Sequence, residues 1–590
     1  MKKRLSNCLS ALCDRLIVKL LGAWLAVSAV VLFFFPNRTL DLQYASDVSL
    51  PVVIAGVLLI TVALTILDRC WTPVRCSDWF LYGALTVFSV AVLSHGGTVQ
   101  TYITLAIFLV MAIRYVYRDR SLAPNVGGSA FWLPLLLLVG FFFVVTLVIA
   151  VLRYETYGAP NFDFGIFCQM FHYMSTDFVP NTTCERDQLL SHFAVHLSPI
   201  YYLLLPFYMI FPTPLTLAVG QVVILFSGAV PLLLLARHKG LSHQVTLFML
   251  IAFAAYPALS GGCFYDIHEN CFLLPLLLWM FYFHEKGRLT GVLLSALGVC
   301  LVKEDAFLYL VVFAVYVLIA ERKWKTGLIL LGGSIAYFIG AVFLLTTYGQ
   351  GIMSGRLGTL IPEGGGLIDA IKTVLVNPGH AIIQLLKPEG DKQHKLLYVI
   401  QMFLPLAGLP FLTRRGSRYL LLAPILVNLL TDYGYMHSVY FQYSFGVMAF
   451  LFYGAVLNLS EMNELARHRR ALTAATLSAV IFVLLTMPTA VSLMRNYRDN
   501  YEKYERMDAI LEQIPTDVSV TASTFLVPHL SEREVLYEDF YHSGTDTDLL
   551  IIDLRGGHTE FVKGLEDKYT NAGYTCRFSE EGLLSIWEAP

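Results

Sequence analysis

The chain has 590 residues, of which 56% are hydrophobic and 14% charged, and its formal net charge is -2. Soluble domains carry about 25% charged residues, so this composition, with a mean hydropathy of +0.63, excludes an ordinary soluble protein and indicates a polytopic membrane protein. No large basic surface is available, which excludes nucleic acid as a partner.

The chain opens MKKRLSNCLSALCDRLIVKLLGAWLAVSAVVLFFF, basic and then apolar. The apolar part is long and no A-x-A-like site follows, so it reads as a retained first span rather than a cleaved signal. A bilayer core of about 30 Å takes ~20 apolar residues as a helix. On that rule spans fall near 16–35, 51–67, 79–94, 100–117 and 129–152. Basic links precede the first span (Lys2, Lys3, Arg4) and follow the second (Arg69, Arg75) and fourth (Arg114, Arg118, Arg120). The positive-inside rule then makes the amino terminus cytoplasmic and puts the next loop, 153–199, outside.

That loop gathers Asp163, Gln169, His172, Asp177, Glu185, Arg186, Asp187, His192 and His196 in a chain that is otherwise mostly apolar. Intramembrane or membrane-edge charges are costly and mark function or pairing. An apolar interfacial helix (198–211) and a single span (214–236) follow; two spans here would reverse the charge rule for every later loop. Further spans are expected near 243–258, 270–283, 288–302, 306–320, 326–346, 396–412, 418–431, 440–457 and 471–492, fifteen in all. The loops holding Arg237/Lys239, Lys286/Arg288, Arg322/Lys323/Lys325, Arg414/Arg415/Arg418 and Arg467/Arg469/Arg470 are then inside.

Three further polar clusters fall outside: Asp266, His268 and Glu269 in GGCFYDIHEN; Lys303, Glu304 and Asp305; and Asp432, Tyr435, His437, Tyr440, Gln442 and Tyr443 in DYGYMHSVYFQYS. A Gly-rich outer loop, about 347–394, carries Arg356, Glu363, Lys387 and His394. After the last span, Tyr501–Gln513 and 559–572 read as helices, while DVSVTAS, EVLYE, DLLIIDLR and LLSIWEA read as strands. The expected organisation is a four-span extension (1–128), a transmembrane core (129–495) and a small extracytoplasmic α/β domain (496–590) that is a lid, a binding domain or simple packing. It has neither a phosphate loop nor a nucleophile elbow. Cys168, Cys184 and Cys263 share the outer side, which allows one disulfide among them.

Asp163 suits a general base toward an acceptor hydroxyl, a contact to a divalent cation, or a helix N-cap. Asp266 and Glu269, three apart, would share one helix face beside His268; alternatively they are solvated turn residues. Lys303 can bind a phosphate as a point charge or close a helix junction in an ion pair with its acidic neighbours. Arg186, Arg356 and Lys387 are weaker phosphate candidates. His192 and His196, four apart, have a spacing compatible with metal on a helix, but no third ligand is evident.

An acidic first outer loop, the interfacial run HLSPIYYLLLPFYMIF and a span ending in Arg-His-Lys-Gly resemble the GT-C superfamily of lipid-dependent membrane glycosyltransferases. More closely, NFDFGIFCQ, HFAVHLSP, DIHEN, LVKED and HSVYFQYS resemble a family of predicted bacterial membrane proteins grouped with that superfamily, over about 129–590. The resemblance implies an α-helical polytopic fold with a GT-C-like core in the plasma (inner) membrane. It further implies transfer of a sugar from a polyprenyl-phosphate donor to a lipid or glycan acceptor outside. On it, Asp163 corresponds to the first-loop acid that acts as base or metal contact, while Asp266, His268, Glu269, Lys303 and Glu304 match motif positions without an assigned role. On side-chain chemistry Glu304 and Asp266 are further candidate catalytic residues. Lys303, His268, Glu269, Gln169, His192, His437, Tyr440, Gln442 and Arg356 are candidate substrate-binding residues. No cofactor is required, with a divalent cation (Mg or Mn) as an option; no Asp-x-Asp marks the first loop. The rival is a transporter or flippase for a lipid-linked or polar substrate, which would place ionisable residues near mid-membrane along inverted repeats.

Overall fold

The computed structural model describes residues 15–34, 49–70, 76–94, 129–351, 355–362, 365–386, 394–431 and 433–590. The expected span at 100–117, with Glu363, Lys387 and Asp432, lies outside the described residues, as does the side chain of Arg356. Seven helices, among the described residues, are long and apolar enough to cross a membrane, including Leu50–Cys70, Phe131–Glu155, Pro214–His238 and Trp324–Tyr348. Leu16–Leu32, Leu289–Val302 and Gly416–Leu430 are shorter apolar helices.

Two spans, His243–Phe264 and Gln442–Ser460, are 94% buried inside the protein over their apolar windows, against 17–44% for the other five. They form the centre of the bundle and are apolar on every face because protein surrounds them, whereas the outer helices offer apolar surface outward. The stretch 214–238 is one span. Its two segments, Pro214–Ser227 and Ala229–His238, meet at Gly228, where a Cβ would lie 3.0 Å from Phe253.

The basic loops converge on one end of the bundle. Lys239 pairs with Glu285 at 3.0 Å, His284 with Glu321 at 2.7 Å, and Arg418 with Glu461 through both guanidinium nitrogens. Arg467 donates to the carbonyls of Leu459, Ser460 and Met462 and reaches that of Gly240. At the opposite end several helices unwind into 3₁₀ turns, at Glu269–Phe272, Glu304–Ala306, Gly434–His437 and Gln442–Ser444. Those turns shorten the regular helices and carry the polar clusters expected on the other side.

The loop 153–199 is built from a tight turn (Asn161–Gly165), an amphipathic helix (Ile166–Asp177) and a short antiparallel ribbon, β1 (Asn181–Thr182) with β2 (Leu190–Ser191). The expected interfacial helix is a 3₁₀ turn, Pro199–Leu203, running into Leu205–Ile210. After Glu464–Leu485 and Met487–Asp499, helix Tyr501–Leu511 leads into a five-stranded sheet. Its strands are β3 (Val520–Ala522), β4 (Leu536–Glu538), β5 (Leu549–Asp553), β6 (Thr575–Glu580) and β7 (Leu584–Glu588), in the order β4-β3-β5-β7-β6. β3 pairs parallel with β4 and β5, while β7 pairs antiparallel with β5 and β6.

This domain shares a core with the first loop: Tyr157 and Cys184 are buried with Met507, Val527, Leu530 and Leu536. Gln169, expected to bind substrate, is the polar rivet of that junction. Its carbonyl accepts from Thr182 Oγ1 and the Thr183 and Cys184 N–H groups, and its amide donates to the Arg533 and Glu534 carbonyls. A fully buried amide so completely bonded reports a structural position. Cys168, Cys184 and Cys263 are buried free thiols.

Gly165 shows how closely the turn is held. A Cβ there would lie 2.6 Å from Asn161 Oδ1 and 2.7 Å from Val527 Cγ1. Gly165→Ala is therefore expected to cost ~1–3 kcal/mol, read as a lower thermal midpoint in detergent, whereas Gly140→Ala, with nothing within 4 Å, should be neutral.

Candidate active site

The turn NFDFG, Asn161–Gly165, is separated by five residues from the span that ends at Glu155. Asn161 is tied to the sheet domain on two sides: its N–H donates to the Thr524 carbonyl at 2.8 Å and its Nδ2 to Glu538 Oε2 at 2.7 Å. Asp163 at the apex has φ 75° and ψ −59°. That γ-turn conformation, with positive φ and negative ψ, is rare and strained, and it persists only where surroundings enforce it. The N-cap alternative fails, because the helix begins at Ile166 behind Gly165 with no side-chain cap bond.

Asp163 Oδ2 accepts a hydrogen bond from Tyr265 at 2.6 Å and lies 3.2 Å from His268 Nε2. His268 Nδ1 meets Glu269 Oε2 at 3.2 Å, and Glu269 Oε1 lies 2.8 Å from Lys303 Nζ. The result is an alternating line, carboxylate, imidazolium, carboxylate, ammonium, across three chain segments. Tyr201 fixes its middle: its hydroxyl donates to Glu269 Oε2 and accepts the Glu269 N–H. Gln221, from span 214–238, accepts the His268 N–H and donates to the Tyr265 carbonyl.

Beside this line Arg153 pairs with Asp266 at 2.8 Å and lies 5.7 Å from the centre of the Tyr265 ring. Asp266 and Glu269 do not share a helix face as expected. Asp266 lies in the irregular link before the 3₁₀ turn, and the extended backbone at His268 separates the two carboxyls. Glu304 accepts from His196 Nδ1 at 2.9 Å and from the Leu197 N–H at 3.1 Å, which staples the first loop to the Lys303 junction.

Burial and charge set the protonation states. Burial raises the Asp163 carboxyl, but His268 and Tyr265 outweigh it and hold it below the usual carboxylate value. Burial opposes charge on His268 too, yet Asp163 and Glu269 lift it to about 9. Burial also opposes the Glu269 charge, and Lys303 and His268 overcome it to hold that carboxyl well below its ordinary value. Burial lifts Asp266 to about 7 despite Arg153, and burial raises Glu304. Burial and Lys303 drive His196 well below its ordinary value, so it is a neutral donor to Glu304.

The sign of the His268 shift gives a pH dependence. A histidine whose pKa rises on folding contributes stability that is fully present below its unfolded value of about 6.5 and is lost as pH climbs through about 9. Thermal midpoints in detergent between pH 6 and 10 should fall for the wild type and fall less for His268→Gln.

The remaining expected residues lie around this centre. His192 pairs with Glu185 at 2.9 Å, and its ring packs edge-on against Phe167, which also touches the rings of His268 and Tyr201. Segment 437–445 is seated on 261–265. A Cβ on Gly261 would meet the Val439 carbonyl at 2.5 Å, Tyr440 stacks on Phe264, and Phe441 packs on Tyr265. His437 and Gln442 are buried in that segment. Among the described residues no three His, Cys, Asp or Glu side chains are placed to hold one metal ion, and Asp163 Oδ2 is engaged by Tyr265 and His268. His192 and His196 are instead each bonded to a carboxylate, Glu185 and Glu304 respectively.

Arg153, Tyr265, Tyr201, Gln221 and Asn161 were not singled out in the sequence. Arg153 and Asn161 stand at the borders of the first loop, and Gln221 is the lone amide of an apolar span. A model of predicted membrane proteins matches residues 153–584, nearly the whole stretch that builds this network. The chain belongs to that family, DUF2079. The family match begins at Arg153, later than the expected 129. No curated protein matches the sequence. In fold, the DUF2079 chain is similar to ArnT from Cupriavidus metallidurans bound to undecaprenyl phosphate, at 12% identity and TM-score 0.48 over 76% of this chain and 97% of that one. It is similar also to ArnT from the same organism in the apo state, at 10% identity and TM-score 0.47 with the same coverage. Neither likeness transfers a residue role to this chain.

Proposed function

We propose that the protein is a membrane glycosyltransferase that moves a sugar from a polyprenyl-phosphate donor to a hydroxyl acceptor at the end of the bundle bearing Asp163. The observation that carries this reading is the strained Asp163 turn set against the His268–Glu269–Lys303 line. The donor class follows from the sequence resemblance to lipid-dependent glycosyltransferases; the geometry supplies an acid and cations suited to such a reaction.

In the proposed step the acceptor oxygen attacks the anomeric carbon, and the bond from that carbon to the phosphate oxygen breaks. The prenyl phosphate leaves with the electron pair. Asp163 accepts the hydrogen bond of the acceptor hydroxyl and takes its proton. A carboxylate held below its usual pKa takes a proton only from a hydroxyl already acidified by bond formation, so proton transfer is late. Arg153, 17% exposed at its side chain and placed over the ring of the Tyr265 that bonds Asp163, and the charged His268 are the cations a departing phosphate meets. Lys303 is 4% exposed and engaged by Glu269; it acts through Glu269 by fixing the charge on His268.

Binding of a short-chain prenyl-phosphate hexose to protein in nanodiscs tests the donor class. Arg153→Met should weaken it about ten-fold or more, and Arg153→Lys should retain part of the affinity. Saturable binding that ignores both variants would remove Arg153 from the reading.

A further inference from the structure

Glu269 and Glu304 face the charged network, but the residue after each faces elsewhere. Consecutive residues of a 3₁₀ turn project about 120° apart, and Asn270 and Asp305 both line a separate cleft. Tyr309, Asn428 and Tyr443 complete its polar lining, with Leu273, Leu308 and Val312 between them. Tyr309 is fixed there because Gly446 has no Cβ; one would collide with the Tyr309 ring. Asn428 is fixed as well, donating to the Tyr398 hydroxyl and the Tyr443 carbonyl at 3.1 Å each.

Asn270 is 7% exposed, and its Oδ1 has no hydrogen-bond partner among the described residues. A buried amide oxygen without a donor is costly, and each such group needs an explanation. A ligand hydroxyl supplies one. The described residues of the lining include no Lys, Arg or His, so they supply no cation for a phosphate. Rigid tyrosines, planar amides and aliphatic side chains instead suit a ring with hydroxyls at its edge and C–H groups on its faces.

We infer that this cleft, one residue away from Glu269 and Glu304 along the chain, binds a sugar ring of the transferase substrates. The inference rests on the glycosyl-transfer reading and adds a subsite to it. The ring belongs to the donor or to the acceptor, and the two are separated by probe.

Wild type, Asn270→Leu and Leu308→Trp are compared in nanodiscs with three probes: a short-chain prenyl-phosphate hexose, the same prenyl phosphate without sugar, and an octyl hexoside. Leu308 is 40% exposed, so its replacement fills the cleft without removing a buried polar group. A loss of about ten-fold for the prenyl-phosphate hexose, with bare prenyl phosphate unchanged, places the donor sugar in the cleft. A similar loss for the octyl hexoside alone places the acceptor sugar there. Unchanged affinity for all three probes in both variants overturns the cleft assignment and leaves the donor reading standing. Failure of the wild type to bind any probe overturns the donor reading, and the cleft assignment with it.

Discussion

Asp163→Asn is expected to lower sugar transfer by ~10²–10⁴-fold, the range set by loss of a positioned base, in a protein that still folds. The amide has nearly the carboxylate's shape and can still accept from Tyr265, so the turn that Asn161 ties to Thr524 and Glu538 has no reason to move. What it loses is the charge facing His268 and the site for the acceptor proton. The expected signature is a fall in the rate at saturating donor with little change in donor affinity. A purely structural role would instead appear as a lower thermal midpoint with the residual activity of the folded fraction intact.

The second large effect is on stability. Lys303 and Glu269 are both nearly inaccessible, at 4% and 1% side-chain exposure. Lys303→Met leaves a buried carboxylate with one charged partner, and breaking a buried pair in this way costs ~3–5 kcal/mol. Glu269→Gln in the same chain removes the orphaned charge, so the double variant should be more stable than Lys303→Met alone. Thermal or denaturant unfolding of the three proteins in one detergent measures this. If Lys303→Met alone matches the wild type, the ammonium does not hold the line together.

The charged members of the site were legible because charge is scarce in this chain. Asp163, Asp266, His268, Glu269, Lys303 and Glu304 stand out against apolar spans, and counting spans by length placed them at one end. Their partners were hidden for a physical reason. Tyr201 falls in the apolar run HLSPIYYLLLPFYMIF and Tyr265 in GGCFYDIHEN, and a tyrosine with an apolar body and a polar tip suits a membrane border whatever its hydroxyl meets. Only tertiary packing shows that their hydroxyls point at Glu269 and Asp163. Gln169 illustrates the converse: a polar residue in an apolar run can mark a ligand or an orphaned backbone group, and here it satisfies the Thr183 and Cys184 N–H groups.

The carboxyl-terminal domain shows the same limit. Its buried strands β3 and β5 and its final strand β7 alternate or run apolar and were readable. β6, with the sequence TCRFSE, is largely exposed at the sheet edge, and its alternation is confined to Cys576 and Phe578, too short to stand out. Its docking on the first loop rests on Asn161, Gln169 and Thr183, whose partners lie more than 350 residues away in sequence. No local periodicity encodes such a contact. In the structure the domain packs against the turn that carries Asp163.

The most direct test of the account follows the fate of a label. Wild type and Asp163→Asn in nanodiscs are incubated with a prenyl-phosphate hexose radiolabelled in the sugar, and prenyl-bound label is separated from released or transferred label. The account predicts that wild type moves the label off the prenyl phosphate, onto water or an added acceptor, and that Asp163→Asn does not. Label that stays on the prenyl phosphate with wild type, yet crosses the bilayer when the protein is in vesicles, would contradict it and make the protein a transporter.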